Sequence, residues 1–511
     1  MAVVEADQAA AGNHTIRRAR SLLIDRVKSG FCSLAPGTNR VLWRFLAVLI
    51  VVYIAKQILL VVIFPPFSGH DEVAHFAYVQ TVVRDHRVPE LLVDDIPSYF
   101  YRYCQFILDW SPCEPENDRW LQQPFRFADW GAAGVFPAGE QYAANHPPLY
   151  YLLVAPAFKI TETASIETQQ YVLRALSIPF GIIAVFFAFA TAMVIFPGDR
   201  FMAILVSSFV AFQPQVSYEA SMVNNDIAGI ASMTVVIYLI VRGMKRGFGL
   251  FECVALGMGL GVALLIKGNS VVIMPVIALA MILTIGFRRV GKWAARGAIV
   301  AGVAAVVTAP WYAFLWRTYG NLDGLAQVEE LQQPWNRQAG TFAELLFNRS
   351  FVWARWQETW GAFGWRRIQL SPTLLWSIAI PVLLALVGLA IFVIVAVLAR
   401  RRDGHWWTPS GFVTPDRFQS LALIILLLIV IISYVAVIQF GTRFILTQAR
   451  YLFPVVTAVA ILLTLGLRTI VPLRARPAVQ GLAIASLVLL NILIYTKWVV
   501  PYWYLTDWPA T

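Results

Sequence analysis

Residues 41–64 read VLWRFLAVLIVVYIAKQILLVVIF and run directly into PPFSGHDEVAHF, residues 65–76. The first stretch carries only Arg44 and Lys56 as charges. At about 1.5 Å per helical residue it is long enough to cross a hydrocarbon core roughly 30 Å thick. Backbone groups cannot be left unpaired in lipid, and the period-two alternation of barrel strands is absent, so this run and those like it are expected to be helices. About forty polar and basic residues precede it and no small-residue cleavage site follows. It therefore reads as an uncleaved signal anchor. Upstream, residues 16–23 fit either a basic amphipathic helix on the inner leaflet or a disordered basic tail.

The rest of the chain extends this pattern. Of its 511 residues 59% are hydrophobic and 14% charged, against about a quarter charged in soluble globular proteins. The net charge of +11 does not point to nucleic acid, because the basic residues sit in short clusters between apolar runs, where they report topology. Arg242, Lys245 and Arg246 form one such cluster. Arg288, Arg289, Lys292 and Arg296 form a second, Arg400 to Arg402 a third, and Arg468, Arg474 and Arg476 a fourth. Placing these inside puts 65–146 outside, and its twelve acidic residues against five basic ones agree.

Ten further helices are expected near 172–196, 201–217, 227–241, 250–266, 271–287, 297–314, 373–399, 418–438, 451–467 and 480–498. The fold class predicted is all-α, a polytopic membrane helical bundle of about 11–13 transmembrane helices with external loops at 65–146 and 315–371. A cytoplasmic basic segment, 1–40, precedes the membrane domain, 41–498, and a short external tail, 499–511, follows it. The apolar stretch from Pro147 to Ile160 is too short for an ordinary span and reads as a re-entrant or tilted half-helix. Both external loops are rich in aromatic residues, which argues against disorder. Cys104 and Cys113 lie in the first of them and are expected to form a disulfide.

Ionisable residues stand at the outer ends of these helices. After helix 1 come His70, Asp71, Glu72 and His75. If the segment is helical, Asp71 and Glu72 share a face with His75, and a carboxylate beside a histidine can act as general base or metal ligand. The same pattern is what a helix end capped by solvated acids gives. Asp226 is either a helix N-cap or a second functional carboxylate on the same outer face. Lys267 interrupts apolar sequence, by snorkelling or by function. Arg443 and Arg450 break the depletion of positive charge outside, and an outward Arg suits phosphate. Trp353, Trp356 and Trp360 line one helical face as an interfacial belt or a sugar-stacking platform.

Taken together, these features resemble the GT-C superfamily of membrane glycosyltransferases, near the bacterial protein O-mannosyltransferases and the lipid A aminoarabinose transferase. The resemblance spans about 41–455. It rests on Asp71-Glu72 after helix 1, on His146-Pro147-Pro148-Leu149-Tyr150-Tyr151, on Arg174 near a helix start, on Asp226, on Lys267, and on the stretches 359–365 and 448–454. It implies a polyprenyl-phosphate sugar donor, a glycan, lipid or protein acceptor, and transfer at the external face of the cell (inner) membrane, with inversion. Asp71 is then the base, with Glu72 or Asp226 as its partner. Lys267, Arg443, Arg450 and Arg174 contact the donor phosphate, while His75, His146 and Trp360 contact sugar or acceptor. A divalent cation, Mg²⁺ or Mn²⁺, could be held by Asp71 and Asp226. The rival class is a transporter or flippase, but that would carry its ionisable groups deep within the spans.

Overall fold

A computed structural model describes residues 40–97, 99–100, 141–332, 340–401, 414–444 and 447–505. Contacts divide the chain into units 1–48 and 49–511. The first contributes only the opening residues of helix α1 (Arg40–Ile63) to the described set. Everything that forms the site belongs to the second. Cys104 and Cys113 lie outside the described residues.

The described chain is helical almost throughout. A short helix α2 (Glu72–Arg84) packs against α3 (Leu149–Ile160), then come α4 (Ile166–Ala175), α5 (Ile178–Ile195), α6 (Arg200–Phe212), α7 (Pro214–Glu219), α8 (Asp226–Arg246) and α9 (Leu250–Ile266). A 3-10 turn leads into α10 (Met274–Ile285), followed by α11 (Val290–Tyr319), α12 (Leu325–Gln332), α13 (Phe342–Phe347) and α14 (Arg349–Trp360). Strands β1 (Ala362–Phe363) and β2 (Ile368–Gln369) form a minimal antiparallel hairpin, Ala362 facing Gln369. The long α15 (Pro372–Arg401) and α16 (Arg417–Gly441) come next, then a 3-10 segment Ala449–Val455, α17 (Val456–Ile470) and α18 (Arg476–Ile494).

Nine of the described helical stretches are long and apolar enough to cross a membrane, and three shorter apolar helices are α3, α6 and α9. With α9, and with α6 continued past the Pro214 break by α7, the total is eleven, the lower end of the 11–13 that the sequence predicts. At 12 residues α3 is about 18 Å long, short of a full crossing.

Local chemistry explains the boundaries. Asp199 caps α6 by accepting from Met202 N at 3.1 Å, and Asp416 and Gln419 close a capping box on α16. Pro214 ends α6: Gln213 before it is extended, φ −63° and ψ 120°, and its side chain caps α7. α8 ends with Lys245 and Arg246 in its last turn and Gly247 at φ 78°, cations and a left-handed glycine at the negative end of the helix dipole.

α8 packs against α5 and α9, α9 against α11, and α15 against α17. The last pair is brought close by glycine. A Cβ on Gly388 would lie 2.1 Å from the Gly466 carbonyl oxygen, and one on Gly466 would lie 1.8 Å from that of Ala385. Small residues at such crossings let backbones meet where lipid gives no hydrophobic drive.

Candidate active site

The C-terminal end of α1 is held by one arginine. Arg174, fully buried on α4, donates Nη1 to the carbonyls of Val61 (3.2 Å) and Phe64 (2.7 Å), and Nη2 to that of Pro65 (2.8 Å). Its Nε and the second Nη2 hydrogen go to the two oxygens of Glu72, at 2.8 and 2.6 Å. All five guanidinium hydrogens are used. Glu72, also fully buried, accepts in addition from Val223 N (2.8 Å), Gly69 N (2.9 Å) and Gln170 Nε2 (3.1 Å). Neither group has capacity left for a ligand.

Asp71, next to Glu72, behaves differently. It stands at the N-cap of α2 with φ 58° and makes no cap hydrogen bond, so its carboxylate is free to turn elsewhere. There it accepts from Arg450 Nη2 and from the Tyr142 hydroxyl at 3.2 Å. Arg450 reaches a second carboxylate through Nη1, Asp226 Oδ2 at 3.1 Å, and the other oxygen of Asp226 accepts from Lys267 Nζ. Lys267 lies along Gly229, where a Cβ would come within 3.1 Å of its Cδ. Asp71, Arg450, Asp226 and Lys267, drawn from four separate parts of the sequence, thus form one chain of alternating charge, with the tips of Arg450 and Lys267 each 5.7 Å from the Tyr451 ring. Arg450 Nε is buried and has no partner among the described residues.

Histidines surround Asp71. His75, one turn along α2, meets the Tyr151 hydroxyl through Nδ1 at 2.7 Å and stacks on His146 with centroids 5.5 Å apart. His70 lies between the rings of Tyr218 and Trp365, and neither of its ring nitrogens has a partner among the described residues. Burial pushes His70 and His146 down to about 3 and lowers His75 as well, with nearby cations adding to the effect; these rings are neutral. Burial alone would raise the Asp71 carboxyl, but the Arg450 charge and its hydrogen bond outweigh it and hold Asp71 well below the usual carboxylate range.

The other expected residues lie apart from this group. Arg443 is exposed, 3.9 Å from Glu329. Trp360 is buried against Phe209 and Trp356. The sequence reading also missed residues. Glu219 is fully buried and, among the described residues, bonded to two amides, Asn224 Nδ2 at 2.7 Å and Gln215 Nε2 at 3.4 Å. An acid within an apolar helical stretch was its available signal. Glu358, in a polar segment between spans, gave none.

No group of three or more potential metal ligands occurs among the described residues. The two aspartates proposed to hold a cation are each already neutralised by nitrogen donors, and a divalent ion would bring further positive charge against Arg450 and Lys267. This donor set does not fit a metal.

Residues 56–459 match the family described as "Predicted membrane protein (DUF2142)". The chain belongs to that family. A comparison with curated proteins returned no match. Among solved structures the chain is similar to ArnT from Cupriavidus metallidurans bound to undecaprenyl phosphate, at 15% identity, covering 90% of this chain and 70% of that one with a TM-score of 0.44. It is also similar to the Archaeoglobus fulgidus oligosaccharyltransferase tethered to an acceptor peptide, at 15% identity and a TM-score of 0.49, covering 90% of this chain and 56% of that one. The same oligosaccharyltransferase in complex with zinc and sulfate aligns at 14% identity and a TM-score of 0.40, covering 88% and 52%. The chain therefore spans little more than half the length of the oligosaccharyltransferase. All three scores lie below 0.5.

Proposed function

We propose that this protein is a membrane glycosyltransferase of the GT-C type, moving a sugar from a polyprenyl-phosphate donor to an acceptor at the external face of the inner membrane. The observation that carries the reading is the single guanidinium of Arg450 shared between Asp71 and Asp226, with Lys267 beside it. The donor phosphate enters as a third anion and takes hydrogen bonds from Arg450, whose Nε has no other partner among the described residues, and from Lys267. As Arg450 turns to the phosphate, Asp71 loses the charge that suppresses its basicity. Its carboxylate then takes the proton of the acceptor hydroxyl while the acceptor oxygen bonds to the anomeric carbon. The bond from that carbon to the phosphate oxygen breaks, and its electron pair leaves with the lipid phosphate, where the cations stabilise it. One displacement inverts the anomeric centre. Glu72 and Arg174 serve as the frame that fixes Asp71, and no metal takes part in a step.

The test is transfer by purified protein in lipid, supplied with a panel of labelled polyprenyl-phosphate sugars and acceptors. Asp71→Asn is expected to reduce turnover by about 10²–10⁴-fold with donor binding retained, since Asn keeps the shape but cannot accept the proton. Near-normal turnover by Asp71→Asn would remove it as the base. No transfer across the panel by wild-type protein would overturn the enzyme reading.

A further inference from the structure

Glu358 takes no part in the chemistry above, yet its buried carboxylate has more donors than Asp71 does. Oε2 accepts from Arg355 Nε at 2.7 Å and from the backbone N–H of Ala449 at 2.8 Å. Oε1 accepts from Arg355 Nη2 at 2.8 Å and from Arg366. Three separate pieces meet on it: α14, which carries Glu358 and Arg355; the turn between β1 and β2, which carries Arg366; and the start of the 3-10 segment, where Ala449 directly precedes Arg450. The turn is itself strained, with Trp365 at φ 58° and Arg366 at φ 69°, in the left-handed region that side-chain-bearing residues rarely adopt. The other end of α14 is fixed independently, by Asn348 accepting from Phe351 N at 3.0 Å. Near the site, Gln213 and Gln215 of the α6–α7 break bind the carbonyls of Thr359 and Ala362.

A buried carboxylate is costly to desolvate, and a packed apolar residue in its place is often as stable. What an apolar residue could not do is fix the main-chain N–H beside Arg450 to two arginines of the external loop. We propose that Glu358 is a positioning residue: through Ala449 N–H it sets the direction in which Arg450 leaves the backbone, and so couples the docking of α14 and the hairpin to the grip on the donor phosphate.

The proposal rests on Arg450 contacting that phosphate, and the experiment separates the two ideas. Undecaprenyl phosphate, free of any sugar, is titrated onto the full-length protein in detergent, with wild type, Arg450→Met, Glu358→Gln and the double variant compared. Gln at 358 keeps the size but turns an amide N–H toward donors. Arg450→Met should weaken binding about 100-fold and Glu358→Gln about tenfold, while the double variant should bind no more weakly than Arg450→Met alone, the non-additivity expected of residues acting through one contact. Should Glu358→Gln fail to fold, Ala449→Pro removes the N–H, with two ring carbons added at a buried position. Proline is tolerated at the first position of a helical segment, and Gln448 before it is already extended, φ −129° and ψ 154°. It should reproduce the tenfold loss and the same non-additivity. Unchanged binding by Arg450→Met would sink the donor reading itself and this proposal with it. A weakened Arg450→Met with multiplicative losses in the double variant, or with no loss from Glu358→Gln or Ala449→Pro, would overturn the positioning role alone.

Discussion

Adjacent carboxylates at 71 and 72 meet opposite fates, and backbone geometry separates them. Glu72, inside the first turn of α2, points into the protein and is consumed by Arg174. Asp71, in a left-handed conformation, points into the site. Breaking the first pair should therefore act on folding: Glu72→Gln or Arg174→Met is expected to cost on the order of 3–5 kcal/mol by leaving a charge buried and unpaired, read as a large drop in thermal unfolding temperature. A catalytic loss with full stability would contradict this. The pH dependence follows from the same geometry. Asp71 is held below the ordinary carboxylate range, so in the free enzyme it stays ionised as pH falls, and its protonation, which would abolish the base, comes only in strong acid. His70 and His146, at about 3, do not change charge near neutrality. The acid side of the kcat/KM profile should be level from about pH 7 to about pH 5, and a step near the usual histidine value of about 6.5 would show that one of these rings is charged in the working site. Asp71, Asp226, Lys267 and Arg450 were legible in the sequence because charge in apolar surroundings is conspicuous. That Arg450 binds both aspartates was not, since the contact to Asp71 joins positions 379 apart.

At the scale of elements, hydropathy located the spans well because lipid imposes one rule on every helix. The predicted 250–266 coincides with α9, and 373–399 with all but the ends of α15. Breaks within spans were harder to read. Pro214 and the pair Leu176–Ser177, followed by Pro179, each interrupt a run that the sequence treats as continuous, since a proline near a helix start is compatible with either outcome. Trp360 shows the same limit: spacing put it on one face with Trp353 and Trp356, but not whether that face meets a sugar or Phe209. The crossing of α15 and α17 yields its own expectation. Gly466→Ala would place a methyl group against the Ala385 carbonyl, a contact that cannot relax by a rotamer change. The helices must separate, at roughly 1–3 kcal/mol, seen as earlier unfolding in detergent without loss of site chemistry in the protein that remains folded.

For the molecule as a whole, the basic clusters set an orientation that can be measured. Asp323 lies in an exposed turn between α11 and α12, while Lys245 lies exposed at the far end of α8. With single cysteines at these positions in intact cells, a membrane-impermeant thiol reagent should label 323 and spare 245. Labelling at 245 would invert the map and put the Asp71–Arg450 group on the cytoplasmic side. Orientation also bears on biogenesis through the Arg174 clamp. The carbonyls of Val61, Phe64 and Pro65 end α1, and the groups that satisfy them are supplied by a residue more than 100 positions later in the chain, 102 beyond Glu72. While the intervening segment is still being synthesised, α1 has an unfinished terminus and Glu72 has no counter-charge. Arg174 can close both only once it has itself been made, so the clamp is a late event in insertion, and a nascent chain halted before α4 should be the form that quality-control proteases recognise.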